Sequence, residues 1–287
     1  MKNSIKLLVA AFIFIFNFSA QAQTKSLKLE NSLLWEVSGN GLSKPSYLYG
    51  TIHMICNSDY FLTENTTKAL AKAEKLVLEI NLADPAQLAD MQQTAMGKEP
   101  LSKKLDPQQL SKLDAYLKKT TGMSAQQVDG FNLITVMSLA AMKSFGCPDI
   151  KYYEMEFIET AKTRQLPIAG FETVKSQVEA FEKSYNDAQL IDMIVDANPD
   201  DTANLVSHYI KGDISKIYLD STNEKVMPSN AKKHILDDRN TDWVKQFPEL
   251  SKNTTVFYAF GAAHLDGELG VINLLRKAGY SVKPVMN

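Results

Sequence analysis

Residues 257–270 read FYAFGAAHLDGELG, and the fold turns on what this stretch is. An apolar, aromatic run ends in Gly261, His264 stands three residues on, and two acids and two glycines follow. It reads as a phosphate-cradling loop, as a metal ligand at a strand end, or as a tight turn that happens to carry a histidine. A dinucleotide fingerprint needs G-x-G-x-x-G between strand and helix, and a P-loop needs G-x-x-x-x-G-K-S/T. The stretch fits neither, and no lysine follows the glycines. The choice between the other two depends on residues 47–54, YLYGTIHM, where Gly50 and His53 repeat the G-x-x-H spacing.

A histidine just past a buried strand projects toward the sheet rim, where α/β proteins place their sites. A glycine at the strand end lets the backbone turn sharply or lets another group approach closely. His53 and His264, on equivalent positions of adjacent strands, would point into one cleft, an arrangement that suits a metal and its hydrolytic water. A carboxylate is then needed as third ligand or base. Glu79 closes KLVLE in what reads as a central strand, where an unpaired charge costs several kcal/mol, so it has either a metal or a cationic partner such as Arg239. Glu172, at the end of the short strand LPIAGFE, is the second candidate. Either histidine alone reads more readily as a hydrogen-bonded turn residue; the matched pair brings the metal reading level with it. His208 and His234 lie in helical, polar surroundings and read as surface residues.

Working outward, residues 33–82 give a hairpin (LLWEVSG and SYLYGTI around NGLSKP), a helix (TENTTKALAKAEK) and a buried strand (LVLEINL). Residues 254–285 give a strand ending at Gly261, a helix (GELGVINLLRKAG) and a last strand (YSVKPV). Both runs share the plan strand, G-x-x-H, helix, strand. Between them, about residues 85–240 form a mostly helical insertion. In it Asp106, Pro107 and Gly122 bound one helix. A capping box at Ser124 and Gln127 opens another through LITVMSLAAM, apolar enough to be buried on most sides. The expected fold class is therefore α/β, a mixed central sheet built from these two halves in one domain over residues 23–287.

Composition narrows the setting. The chain has 287 residues, 45% hydrophobic and 22% charged, with net charge −2. Residues 1–22 combine a basic n-region (Lys2, Lys6), an apolar stretch Leu7–Phe18 and an A-x-A site, the pattern of a cleavable signal peptide. The apolar stretch is shorter than the roughly 20 residues a spanning helix needs. Losing two lysines leaves the exported chain near −4, a balance that attracts neither nucleic acid nor anionic lipid. The expectation is a periplasmic or secreted protein without stable membrane insertion, whose partner is a peptide or small-molecule substrate. In an oxidising compartment Cys56 and Cys147 read as a candidate disulfide, with two buried thiols as the alternative.

The blocks LLWEVSG, SYLYGTIHM, YFLTENTTKALAKAEKLVLEI, LPIAGFETVKSQ, LDDRNTDWV and FYAFGAAHLDGELGVINLLRKAGYSVKPV together resemble the TraB/GumN family, which includes the Tiki metalloproteases. The resemblance spans nearly the whole chain after residue 22. It implies that Gly50/His53 and Gly261/His264 are the family's paired motifs and Glu79 its glutamate after the first helix. It also matches Glu172 and Gln177, with Phe171 in place of the usual leucine, and Arg239, Asn240 and Trp243 to the R-N-x-x-W block. Where many members carry Gly-Ile-Asp this chain has Tyr152-Tyr153-Glu154, which keeps a carboxylate one methylene further out. The resemblance further implies a fold similar to the erythromycin-esterase and ChaN-like groups, and peptide cleavage dependent on a divalent cation (Mn, Co or Zn). On this reading His53, His264 and Glu79 hold the cation, Glu172 or Glu79 takes a proton from water, Arg239 stabilises an oxyanion or anchors a substrate carboxylate, and Asn240 orients a neighbour. A buried salt bridge is the other role open to Arg239. A non-catalytic peptide- or metal-binding protein, and a metal-independent esterase with a histidine base, are the competing functions.

Overall fold

The computed structural model describes residues 29–286; the expected signal segment lies outside the described residues. Strands β1 (Leu34–Ser38) and β2 (Ser46–Thr51) form the expected antiparallel hairpin, with Trp35 opposite Leu48. A short β3 (Met54–Cys56), helix α1 (Glu64–Lys72) and β4 (Lys75–Ile80) follow. Thr63 caps α1 by accepting from the Thr66 amide. At the far end Arg164 donates to the carbonyls of Leu70, Ala71 and Ala73, of which Leu70 also accepts from the Ala73 amide.

The insertion comprises α2 (Pro85–Ala95), α3 (Leu101–Lys104), α4 (Pro107–Thr120), α5 (Leu133–Ser144), β5 (Ile150–Tyr152), α6 (Tyr153–Thr163), β6 (Ile168–Glu172), α7 (Val174–Ser184), α8 (Asp187–Val195), α9 (Pro199–Ile210), α10 (Ile214–Ser221) and α11 (Ser229–Lys232). A π-helical turn at Lys233–Asp237 leads into α12 (Asp238–Ser251). Then come β7 (Val256–Gly261), α13 (Val271–Lys277) and β8 (Ser281–Pro284). Asp106 caps α4 as expected, but the capping box at Ser124 closes only a 3-10 turn, Ala125–Val128. The chain breaks at Gly130–Asn132, and α5 begins on its own cap, the Asn132 side chain accepting from the Thr135 amide. Nor is α5 buried all round: Leu133, Val136 and Ala140 form a single buried face. That face packs into a second apolar cluster with residues of α3, α4, α8 and α11, separate from the sheet core.

The six-stranded sheet has the order β6-β4-β7-β2-β1-β8. The pairs β6–β4, β4–β7 and β7–β2 are parallel, and β1 runs against both β2 and β8, so β1 alone is reversed. Each half of the expected plan is present, as β2–α1–β4 and β7–α13–β8. They interleave rather than sit side by side, because β7 occupies the gap between β4 and β2. Strands β2 and β7 are buried throughout, which explains their nearly unbroken apolar runs: strands covered on both faces lose the polar alternation. Consecutive residues of β7 show the two cover layers. Phe257 stacks against Tyr49 and meets Phe157 of α6, while Tyr258 stacks on Phe247 of α12 and on Phe171. Neighbouring strand residues face opposite sides, so α6 and α12 cover opposite faces.

One element was not foreseen. β3 and β5 pair antiparallel as a separate two-stranded sheet, Met54 opposite Tyr152 and Cys56 opposite Ile150. Cys56 and Cys147 are joined in a disulfide, Cα to Cα 6.0 Å, which ties β3 to the turn before β5 across 91 residues of sequence. In the chain-entropy treatment such a closure contributes about 4 kcal/mol. Replacing both cysteines with serine is therefore expected to lower stability in urea by ~2–4 kcal/mol. A loss well below that range would show that the β3–β5 ladder holds the loop without the covalent tie.

Candidate active site

The carboxyl ends of the four parallel strands converge. Thr51 ends β2, Glu79 is the penultimate residue of β4, Gly261 ends β7 and Glu172 ends β6. The sites of open α/β sheets lie at such ends, beside a point where strand order reverses. Here β7 enters between two strands that precede it in sequence.

The two histidines stand just past the ends of adjacent strands, β2 and β7, but not at equivalent positions. Gly50 pairs with Phe260 and Thr51 with Gly261, an offset of one residue. The backbone makes up the difference in two ways. His264 ends a 3-10 turn, Ala262–His264, whereas His53 sits in the left-handed region at φ 60°, a conformation few side-chain-bearing residues adopt. Both glycines serve close approach. A Cβ on Gly50 would stand 2.6 Å from Leu265 Cδ1, so the first motif makes room for the second. A Cβ on Gly261 would stand 3.0 Å from His53 Nε2 and 3.4 Å from Glu79 Oε1, among the polar atoms of the candidate site.

Glu79 is 8% exposed and its two oxygens are fully employed. Oε1 accepts from the Gly261 amide at 2.7 Å and faces His53 Nε2 at 3.7 Å and His264 Nε2 at 4.0 Å. Oε2 accepts from Arg239 Nη2 at 2.6 Å and Gln177 Nε2 at 3.0 Å. Burial opposes the charge, but Arg239, the histidines and the Gly261 amide prevail and hold this carboxyl well below the usual range. Glu172 accepts from Arg239 Nε and Nη2 and from Gln177, yet burial outweighs these and pushes its carboxyl up. Both sequence candidates for the carboxylate are thus present, with their proton affinities driven apart.

Arg239 lies between them. Nη1 donates to the Ile235 carbonyl (2.8 Å) and to His264 Nε2 (3.2 Å), Nε to Glu172 and Nη2 to both glutamates. All five N–H groups are engaged, so the salt-bridge role is the one this geometry displays, and no donor is left for a substrate carboxylate or an oxyanion. Since Arg239 can only donate, His264 Nε2 is the acceptor and Nδ1 carries the proton, given to Asn240 Oδ1 at 2.5 Å. Asn240 is fixed in turn by donating to the Leu269 carbonyl. Trp243 stacks beside both His264 (4.5 Å between centroids) and the Arg239 guanidinium (4.9 Å). Burial and the neighbouring guanidinium push His264 down to about 3, so it is neutral near pH 7.

His53 is held differently. Its Nδ1 lies 2.8 Å from Glu154 Oε1, and Thr51 Oγ1 donates to that same oxygen at 2.7 Å. Burial alone would lower its pKa, but Glu154 and then Glu79 outweigh it and raise the imidazole to about 9. The ring is 54% exposed, so solvent screens part of both effects. Glu154, at the sequence position where this chain departs from the family pattern, therefore meets a histidine. It is delivered there by the β3–β5 ladder and by the Tyr153 amide donating to the His53 carbonyl. Thr51 and the role of Glu154 escaped the sequence reading because they depend on that ladder, and three-residue strands carry too little periodicity to be seen. The two histidines taken for surface residues are partly buried, His208 against Asp220 and His234 against Asp238, and belong to no shared cluster.

Among the described residues no three His, Cys, Asp or Glu side chains are gathered as a ready cation cage. His53 and His264 both face Glu79 Oε1, and Arg239 is bonded to His264 and to Glu79.

The profile of the TraB/PrgY/gumN family matches residues 33–284, and the chain belongs to that family. It is similar to Metalloprotease TIKI1 of Danio rerio (23% identical, over 88% of this chain and 63% of that protein) and of Xenopus tropicalis (24%, 88% and 61%). It is also similar to Metalloprotease TIKI2 of Xenopus tropicalis (23%, 90% and 61%). The chain thus spans somewhat over three fifths of the length of these relatives.

The contrast between the two rings is open to measurement. In metal-free protein, imidazole NMR is expected to show His53 protonated well above pH 7 and His264 neutral down to below pH 5. An unfolded histidine titrates near 6.5. The His53 contribution to stability is therefore complete below that value and is lost as pH rises toward about 9, while the His264 contribution is lost as pH falls from 6.5 toward 3. Glu154→Gln should bring the His53 titration back toward 6.5; an unchanged titration would remove Glu154 as its cause.

Proposed function

We propose that this chain is an exported, divalent-metal-dependent hydrolase that cleaves peptide bonds, with His53, His264 and Glu79 as the metal ligands. One observation carries the reading. The Nε2 atoms of both histidines face a single Glu79 oxygen, at 3.7 and 4.0 Å, while each Nδ1 is fixed from outside, by Glu154 and by Asn240. Metal-binding histidines are oriented in this way, one nitrogen toward the ion and the other on a carboxylate or carbonyl. Gly261 fits the same purpose, since any side chain there would project among the donors. Two imidazoles and a carboxylate suit Mn, Co or Zn.

When bound, such an ion supplies an acidified water and polarises a carbonyl oxygen. The protein does the rest. Glu79 stays ionised, as a ligand must. Glu172, whose carboxyl is pushed up by burial while that of Glu79 is held down, is the more basic of the two carboxylates and the one suited to accept a proton. Asn240 fixes the His264 tautomer that leaves Nε2 as the donor atom. His53 is half exposed whereas Glu79, Glu172, Arg239 and His264 are buried, so a peptide or other small substrate meets the site from the His53 side. The peptide bond as target comes from the relatives, which are named as metalloproteases.

A metal-independent esterase using a histidine base is the competing reading, and His53, paired with Glu154 at the solvent boundary, is the histidine placed for it. Export is supported by residues 1–22 and by the disulfide, which belongs to an oxidising compartment. No helix among the described residues is long and apolar enough to cross a membrane. Kinship with the erythromycin-esterase and ChaN-like arrangement stays part of this proposal.

Plasma mass spectrometry on the protein lacking residues 1–22 is expected to find near-stoichiometric divalent metal, lost in folded His53→Ala and His264→Ala, with peptide cleavage abolished by chelation and restored by metal. Absence of metal after incubation with Mn, Co or Zn would refute the metallohydrolase. Metal without turnover would leave a binding protein, and turnover that survives chelation would revive the esterase.

A further inference from the structure

Arg239 touches the groups proposed above as ligands. Its Nη1 donates to His264 Nε2, the lone pair a cation would use, and its Nη2 donates to Glu79. A guanidinium so placed meets the electrostatic demand that a metal would otherwise meet: it compensates a buried carboxylate and occupies a buried imidazole. It also opposes a metal, because two cations cannot share neighbouring atoms of a buried site without strong repulsion.

The other contacts of the arginine show where it would go. Nε and Nη2 together grip Glu172, at 3.0 and 3.2 Å from Nε and 2.5 Å from Nη2. Leaving His264 and Glu79 therefore does not strand the charge, since Glu172 keeps it paired. The remaining anchor, from Nη1 to the Ile235 carbonyl, lies in the π-helical turn Lys233–Asp237 that runs directly into α12. Single π-helical turns inside helices are less regular than the α-helix around them and recur at functional sites. The arginine is thus fixed to its landing carboxylate by two nitrogens, and to the atoms it would vacate by one bond each.

Resting on the metal reading, we propose that Arg239 is a displaceable internal cation: it holds the metal-free site together and must withdraw onto Glu172 for a divalent ion to bind, so that it limits the affinity of the site. Removing it would then tighten metal binding, the opposite of what a residue that merely builds the site would do.

The test is calorimetric titration of Mn²⁺, Co²⁺ and Zn²⁺ into metal-free wild type, Arg239→Met and Arg239→Lys. Methionine keeps much of the stem and removes the charge. Lysine keeps a charge for Glu172 but cannot fork to His264 as well, and it serves if the methionine variant fails to fold. The expected result is binding tighter by about tenfold or more in Arg239→Met and a smaller gain in Arg239→Lys, since the charge and its hydrogen bonds no longer compete. In wild type, the same titration should change the fluorescence of Trp243, on which the guanidinium stacks, and Trp243→Phe should abolish that change. Metal that binds wild type through His53 and His264 but binds the arginine variants equally or more weakly, with Trp243 silent, would overturn the displacement while leaving the metal site intact. Failure of all three proteins to bind metal would overturn both.

Discussion

A carboxylate in the middle of a sheet is costly to bury, and the rest of this site follows from that cost. Glu79 lies on β4, between β6 and β7, 8% exposed. An isolated charge there would shed its proton affinity problem by becoming neutral, or would destabilise the fold by several kcal/mol. It does neither, because four donors or cations converge on it from four different segments: the β7 backbone, α7, α12 and the loop after β2. Each of those segments is separately fixed by apolar packing, so the carboxylate is compensated by groups already held in place. Breaking any one partner leaves a buried charge short of compensation, which is why residues far apart in sequence behave as one unit.

That constraint also accounts for the insertion. Without residues 85–240 the sheet would have Glu79 and the two histidines but neither Glu172 nor Gln177 nor Arg239, and β4 would be an open edge. The insertion contributes β6 to cover that edge, α7 to bring Gln177, and α12 to bring Arg239, Asn240 and Trp243 from one helical face. It sends β5 and α6 back to the other motif, where the disulfide fixes the β3–β5 ladder and Glu154 meets His53. Most of the insertion's own apolar residues pack into a core apart from the sheet, so its helices can be long and numerous without disturbing the strands.

Much of this was legible in the sequence, for identifiable reasons. The strands β2, β4 and β7 announced themselves as apolar runs, and Glu79 stood out because a charge ended one of them. The G-x-x-H pair was visible as a spacing, and Arg239 was named as a partner for Glu79 because a buried acid needs a cation. What stayed hidden depends on long-range pairing. The insertion of β7 between β4 and β2 leaves no local mark, and the one-residue offset of the two motifs is a matter of register. Ser124 and Gln127 formed their capping box as read, yet the helix stopped after one turn: Gly130 and the competing cap at Asn132 weigh more than the apolar run beyond them. Thr51 and the pairing of Glu154 with His53 were missed because that contact depends on a ladder three residues long.

The offset between the motifs has a chemical consequence. Two copies of the same spacing suggest two equivalent histidines, but the structure makes them unlike. His264, reached through a 3-10 turn, is buried beside an amide oxygen, an indole and a guanidinium, and burial and the guanidinium favour the neutral ring. His53, reached through a left-handed turn, is half exposed and held on the Glu154 carboxylate, which favours the charged ring. The spacing fixes where an imidazole stands; the group on its far nitrogen decides which protonation state it keeps. A site assembled this way has one enclosed imidazole that is neutral near pH 7 and one at the solvent boundary that Glu154 favours in its charged form. Equivalence in sequence therefore does not carry over to equivalence in environment: His264 is enclosed, and His53 is the side of the site that meets solvent.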